Sequence, residues 1–268
     1  MAVYNPRVAH DVAVSTFRIR AYEIRPKDPF IFVSRIISPD YVDIRLFAGS
    51  PRERSQVVGH LSDVTRNLNP DVIGSYVTAD VPFASMVADR LSLPLFYMRE
   101  EDKAHGRERN IEGMREEDIS GREVLHIGDL ITRGNTAVSL TNGVRNIEGR
   151  ISCHLVIFDR LQGGSQVLTA LNPPISVMSL CEMDNNFYQA GLDSGDVNQA
   201  DVDEVFRYRQ NQKEWAIEFL TQNPEWLKNK IGRSVRNGRL TKKDALEVLT
   251  LGYRDVPELR GLREEVLK

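Results

Sequence analysis

The sequence predicts an α/β fold built on a parallel sheet flanked by helices. Short apolar runs at 72–77, 95–98, 123–127 and 152–158 alternate with segments whose apolar residues recur at helical spacing. That β-α-β alternation is the signature of a parallel sheet. Polar turns follow the strands at Thr78, Arg99, Asp129 and Asp159. They therefore gather on the carboxyl edge of the sheet, where folds of this kind bind ligands.

Taken in order, residues 9–22 read as a short helix that Pro26 and Pro29 close off. Residues 31–33 and 41–47 are strand-like. Residues 52–68 carry Val57, Val58, Leu61 and Val64 at helical spacing. A strand at 72–77, a helix at 82–91 and a strand at 95–98 follow. The stretch 99–121 is polar, charged and long for a compact domain, as lids and disordered loops are. Next come a strand at 123–127, a helix at 136–148 and a strand at 152–158. Beyond Asn172-Pro173-Pro174, residues 175–180 read as a strand finishing the domain. Residues 184–201, rich in Asn, Asp and Gly, read as a linker. Helices are expected at 203–221, 224–235 and 241–251, the last opened by Thr241 with Asp244.

The 268 residues suffice for one large domain, or one domain with an extension. A net charge of −3 sets up no global field demanding nucleic acid or membrane. Cys153 and Cys181 lie in apolar surroundings and read as two buried thiols. There is no zinc-type Cys/His spacing, no run of 18 apolar residues and no signal-type apolar leader. A soluble cytoplasmic protein is expected. Residues 228–243 hold seven basic and no acidic side chains. They could form an anionic-partner surface, but the negative net charge favours a solvated helix pair offset by nearby acids. Nucleic acid is not an expected partner.

The segment Val124-Leu-His-Ile-Gly-Asp-Leu-Ile-Thr-Arg-Gly-Asn-Thr136 concentrates the chemistry. A buried strand delivers a carboxylate, Asp129, and a small-residue loop to the start of a helix. Backbone N–H groups there can cradle a phosphate, with the Thr132 and Thr136 hydroxyls as further donors. A carboxylate beside a phosphate site can take sugar hydroxyls, so a sugar phosphate is the expected ligand. His126 and His154, inside apolar strands, read as core residues rather than ligands.

This segment resembles the phosphoribosyl-diphosphate (PRPP) motif of type I phosphoribosyltransferases: an apolar strand, two acidic residues, two apolar residues and a Thr/Gly turn. Asp129 matches the second acidic position. Tyr97-Met-Arg-Glu-Glu-Asp-Lys-Ala-His-Gly106 resembles the catalytic loop of orotate phosphoribosyltransferases in Arg99, Lys103, His105 and Gly106. Ser38, Pro39, Tyr41, Asp43 and Arg45 match a further upstream segment of that family. Thr78-Ala-Asp-Val-Pro-Phe-Ala84 resembles its diphosphate-binding turn, and Asp159-Arg-Leu-Gln-Gly-Gly164 its strand end near the base. Five segments in the family's order span about residues 20–165.

The resemblance implies a type I phosphoribosyltransferase-like sheet with an N-terminal hood (1–45) and an α/β core (46–182); beyond it the residues themselves read as a linker (183–202) and a helical extension (203–268), longer than the family usually carries. It implies transfer of phosphoribose from PRPP to orotate, with Mg²⁺ bridging the diphosphate and a homodimer in which the catalytic loop serves the neighbouring subunit. Lys103, His105 and Asp129 would be catalytic. Arg99, Thr78, Asp129, Thr132, Arg133, Gly134, Asn135 and Thr136 would bind PRPP. Arg160 would face the base, where a guanidinium suits the orotate carboxylate. No side chain is assigned to the metal. Departures at five positions stand against this: Gly128 at the first acidic position, Glu100 where lysine is usual, Asp80 in place of glycine, and Val33 and Ile36 in place of cations. They leave open another base, or a PRPP- or nucleotide-binding regulator.

Overall fold

The computed structural model describes residues 5–32, 35–99, 110–237 and 241–268. In chain order it begins with α1 (Pro6–Arg18), β1 (Tyr22–Ile24), β2 (Phe30–Ile31), β3 (Ile37–Ser38), β4 (Asp40–Val42), α2 (Arg45–Ala48) and α3 (Pro51–Leu68). The sheet-building run follows: β5 (Val72–Tyr76), α4 (Val81–Leu91), β6 (Leu95–Met98), β7 (Ile111–Glu112), α5 (Glu116–Ile119), β8 (Glu123–Ile131), α6 (Asn135–Asn146), β9 (Arg150–Asp159), α7 (Gly164–Thr169) and β10 (Ser176–Glu182). Helices α8 (Asn185–Ser194), α9 (Gln199–Gln210), α10 (Gln212–Gln222), α11 (Pro224–Arg236), α12 (Lys242–Thr250) and α13 (Arg260–Leu267) complete it. The chain divides into two compact units, Met1–Ala21 with Asp43–Asp196, and Tyr22–Val42 with Val197–Lys268.

The first unit holds the expected sheet, six strands in the order β10-β9-β8-β5-β6-β7. All neighbours are parallel except the edge strand β7, which pairs antiparallel with β6. Strand β5 is buried along its whole length and β9 along most of it, as parallel strands covered on both faces must be. Val72, Phe96, Val124, Leu140, Val144 and Val156 are among the residues of one apolar cluster on the sheet. Helix α1 starts where Asn5 accepts the N–H groups of Arg7 and Val8 and Pro6 sits in the first turn. It buries Phe17 against Phe187 of α8, with ring centroids 5.0 Å apart.

Several elements differ from the sequence expectation, each for a local reason. Residues 41–47 are not one strand. The Asp43 carboxylate accepts the Arg45 N–H at 3.3 Å, an Asx-type turn, and α2 follows. The loop expected over 99–121 contains β7 and α5, anchored by the buried Ile111 and Ile119. Strand β8 runs on to Ile131, so Asp129 lies within the strand rather than after it. The stretch read as a linker contains α8, because Asp184 caps it and Phe187 and Tyr188 are buried. The helix expected over 203–221 breaks at Asn211, whose side chain caps α10 by accepting the Glu214 N–H. Helix α13 has no counterpart in the sequence reading.

The second unit joins two small antiparallel pairs, β1-β4 and β2-β3, to helices α9–α13. Its core holds Ile37, Tyr208, Trp215, Phe219, Leu220 and Tyr253. The Ile37 N–H donates to the Tyr253 hydroxyl at 2.8 Å, and the Trp226 indole N–H to Asp28 at 2.7 Å. Within the basic run, Lys228 meets Glu225 and Glu265, and Lys230 meets Asp28. The box of Thr241 and Asp244 opens α12 as expected. Among the described residues no helix is long and apolar enough to cross a membrane. Cys153 and Cys181 are free and buried.

Candidate active site at the carboxyl edge of the sheet

The phosphate loop is built by close backbone approach. Strand β8 ends at Ile131, and three residues later Gly134 takes a left-handed conformation (φ +79°) to start α6. No side chain caps the amino end of α6 at Gly134. The first N–H groups of a helix have no partner within it, so this end suits an anion. The loop rests on the Gly163-Gly164 turn after β9. The Gly164 N–H donates to the Thr132 carbonyl at 3.0 Å. A Cβ on Gly134 would lie 3.0 Å from the Gly164 carbonyl oxygen, and one on Gly164 only 2.5 Å from Ile131 Cγ1. Arg133, Asn135 and Thr136 are exposed on this loop, and Thr132 is half-buried.

The turn after β5 meets β8 through a carboxylate. Asp80 is buried, and its Oδ1 accepts the Asp129 N–H at 2.8 Å. Burial first, and the neighbouring Asp80 second, push the Asp129 carboxyl well above the ordinary carboxylate range. Asp80 Oδ2 lies 3.3 Å from His126 Nε2. His126 Nδ1 lies 2.5 Å from His154 Nδ1, and His154 Nε2 lies 2.8 Å from the Thr141 hydroxyl, which donates to the Ala137 carbonyl. Burial and the adjacent His126 hold His154 well below the usual histidine range. The two histidines are core residues, as expected, but they form part of a polar chain. The Val77–Thr78 peptide in this turn is cis, and Thr78 itself is exposed.

The other sequence candidates are placed as follows. Arg99 directly follows β6 with its Nε 2.7 Å from Glu112 of β7, and its N–H donates to the Asn110 carbonyl. Glu100, Lys103, His105 and Gly106 lie outside the described residues. Arg160 is buried, and its N–H donates to the Ile131 carbonyl, tying the end of β9 to the end of β8. Asp159 accepts the Leu161 N–H and the Ser165 hydroxyl, which fixes the turn beneath the phosphate loop. Asp43 and Arg45 form an exposed ion pair at 2.6 Å. Asp80 and Asp129, together with the Thr132–Thr136 loop, thus share one edge of the sheet. Sequence reasoning registered Asp80 as a departure in the diphosphate turn, not as a partner of Asp129. Its signal was a pair of exchanges: an acid gained at the β5 turn and an acid lost on β8.

No protein-family model matches the chain. It is 34% identical over 164 residues to the orotate phosphoribosyltransferase of Sulfolobus acidocaldarius, covering 61% of this chain and 81% of that one. It is 30% identical over 204 residues to that of Halalkalibacterium halodurans, covering 75% of this chain and 94% of that one. Among solved structures, the orotate phosphoribosyltransferase of Aeropyrum pernix is similar with a TM-score of 0.57 at 23% identity, covering 70% of this chain and 99% of that one. The UMP synthase of Leishmania donovani is similar with a TM-score of 0.64 at 22% identity, over 75% of this chain and 42% of that longer one. A parallel sheet carrying a Thr/Gly loop and a helix amino end at its carboxyl edge has the architecture of the type I phosphoribosyltransferases. Within that class, the chain belongs to the orotate phosphoribosyltransferase family.

Proposed function

We propose that the protein is an orotate phosphoribosyltransferase, converting orotate and PRPP to orotidine 5′-monophosphate and diphosphate. The observation that carries this reading is the Thr132–Gly134 loop at the open end of α6, directly after the Asp129 carboxyl on the same strand. Phosphate donors and a sugar-facing acid at that spacing suit a ribose 5-phosphate unit. Family membership supplies the base and the leaving group.

In this reading the N–H groups at Gly134–Thr136, with the Thr132 and Thr136 hydroxyls, hold the 5-phosphate, and Arg133 adds charge at its rim. Asp129 accepts ribose hydroxyls and faces the positive charge that develops at the sugar's C1 as diphosphate departs. The Thr78 turn takes the diphosphate, and Arg99, Lys103 and His105 close over it. Arg160 is assigned to the base. Catalysis of this kind is mostly positional and electrostatic. The residues present fit a magnesium ion that arrives on the diphosphate. The Thr78 turn, with the nearby Asp80 carboxylate, would offer it hard oxygens, and substrate and water would supply the rest. When bound, it neutralises charge on the leaving group. A homodimer with shared sites belongs to the same reading.

The test is a turnover assay with PRPP, Mg²⁺ and orotate, reading orotate loss by absorbance. Lys103→Ala is expected to lower turnover by roughly 10²-fold or more, the size typical of a lost transition-state donor. Unchanged turnover in that variant would remove the loop assignment.

A further inference from the structure

Gly128, His126 and Asp80 are a matched set. Residues 126 and 128 share one face of β8, since side chains alternate along a strand. A Cβ on Gly128 would lie 2.8 Å from His126 Cε1. The absence of a side chain at 128 therefore makes room for the His126 ring, and the ring reaches Asp80. The acid missing from the strand is replaced by one from the neighbouring turn, in contact with Asp129.

The polar chain behind Asp80 has a direction. The Thr141 hydroxyl donates to the Ala137 carbonyl, so its oxygen accepts from His154 Nε2–H. His154 Nδ1 is then an acceptor, and His126 Nδ1–H donates to it. Only a proton between His126 Nε2 and Asp80 Oδ2 can complete the chain. The contact with His126 holds the Asp80 carboxyl from behind, beside Asp129 at the front. Asp80 Oδ1 accepts the Asp129 N–H and Oδ2 faces His126 Nε2. Two adjoining carboxyls, on the strand that leads into the phosphate loop, suit the neighbouring hydroxyls of a sugar.

We propose that Asp80 is a sugar-binding residue, the second ribose-facing carboxylate of the site, and that His126 is the positioning residue that holds it. This rests on the phosphoribosyl reading above. It makes the departures at 80 and 128 one compensated exchange rather than a loss of function.

The test compares ribose 5-phosphate with inorganic phosphate by calorimetry without metal, in wild type, Asp80→Asn, Asp80→Gly and His126→Ala. Phosphate binding reports an intact loop in each variant. The wild type is expected to prefer ribose 5-phosphate, and that preference should fall about tenfold in both Asp80 variants, the cost of a charged hydrogen bond. It should fall less in His126→Ala, with partial recovery in His126→Gln. An unchanged preference in both Asp80 variants, or no preference in the wild type, overturns the proposal. So does a defect confined to Mg²⁺–PRPP binding, which would make Asp80 a metal ligand. If the preference falls as expected but the wild type turns over no orotate, the sugar site stands and the proposed reaction fails.

Discussion

Asp129 is held at an electrostatic disadvantage. Its carboxyl keeps its proton in the folded state at pH values where the unfolded chain has released it. Stability from this group is therefore lost as pH rises from the ordinary carboxylate range through the raised value. Asp129→Asn is expected to raise the Tm at pH 7, with the gain shrinking towards about pH 4, while PRPP turnover falls. A Tm difference independent of pH would contradict this. Such a conflict between stability and activity is common where charge serves a ligand. The sequence made Asp129 legible because it stands in a recognisable strand-loop-helix segment. It left Asp80 and His126 illegible as partners, because their contact joins residues 46 apart and depends on which way a strand face points.

The parallel sheet was readable because apolar runs and helical periodicity alternate in order. Ends were less so. The extension of β8 to Ile131 follows from pairing with Phe158 and Asp159, a register no single strand displays. Short elements such as α2 and β7 arise from one side-chain turn or one buried isoleucine. The phosphate loop depends on a second loop, since a Cβ on Gly164 would lie 2.5 Å from Ile131 Cγ1 and 2.9 Å from the Thr132 carbonyl oxygen. Gly164→Ala should displace the loop from beneath and raise KM for PRPP by roughly tenfold or more, since a small misplacement can cost up to about 10²-fold. Steady-state kinetics with PRPP varied checks this, and an unchanged KM would show that the loop is held in some other way.

Across the whole molecule, the surprise is the grouping of Tyr22–Val42 with Val197–Lys268. Composition cannot show it, because the packing joins two segments separated in sequence by the whole of the first unit's sheet. Ile37 sits in the same core as Trp215 and Tyr253, and Asp28 accepts from Trp226. A chain ending before residue 203 should thus leave 22–42 without its apolar cover and lose solubility. Trp215 stacks on Phe219 and meets Tyr208 edge-on, and its indole N–H donates to Glu204. Trp215→Ala is expected to cost about 3–5 kcal/mol, read as a lower denaturation midpoint. A soluble truncation, or a midpoint unmoved by Trp215→Ala, would show that this unit is not held by that core.

A working phosphoribosyl transfer is expected at an edge whose second acid comes from the turn after β5 rather than from β8. Turnover of orotate with PRPP and Mg²⁺ by the full chain tests it most directly. Orotate loss with formation of its 5′-mononucleotide is expected, lowered roughly 10²-fold or more in Lys103→Ala. PRPP binding without any orotate loss would contradict it.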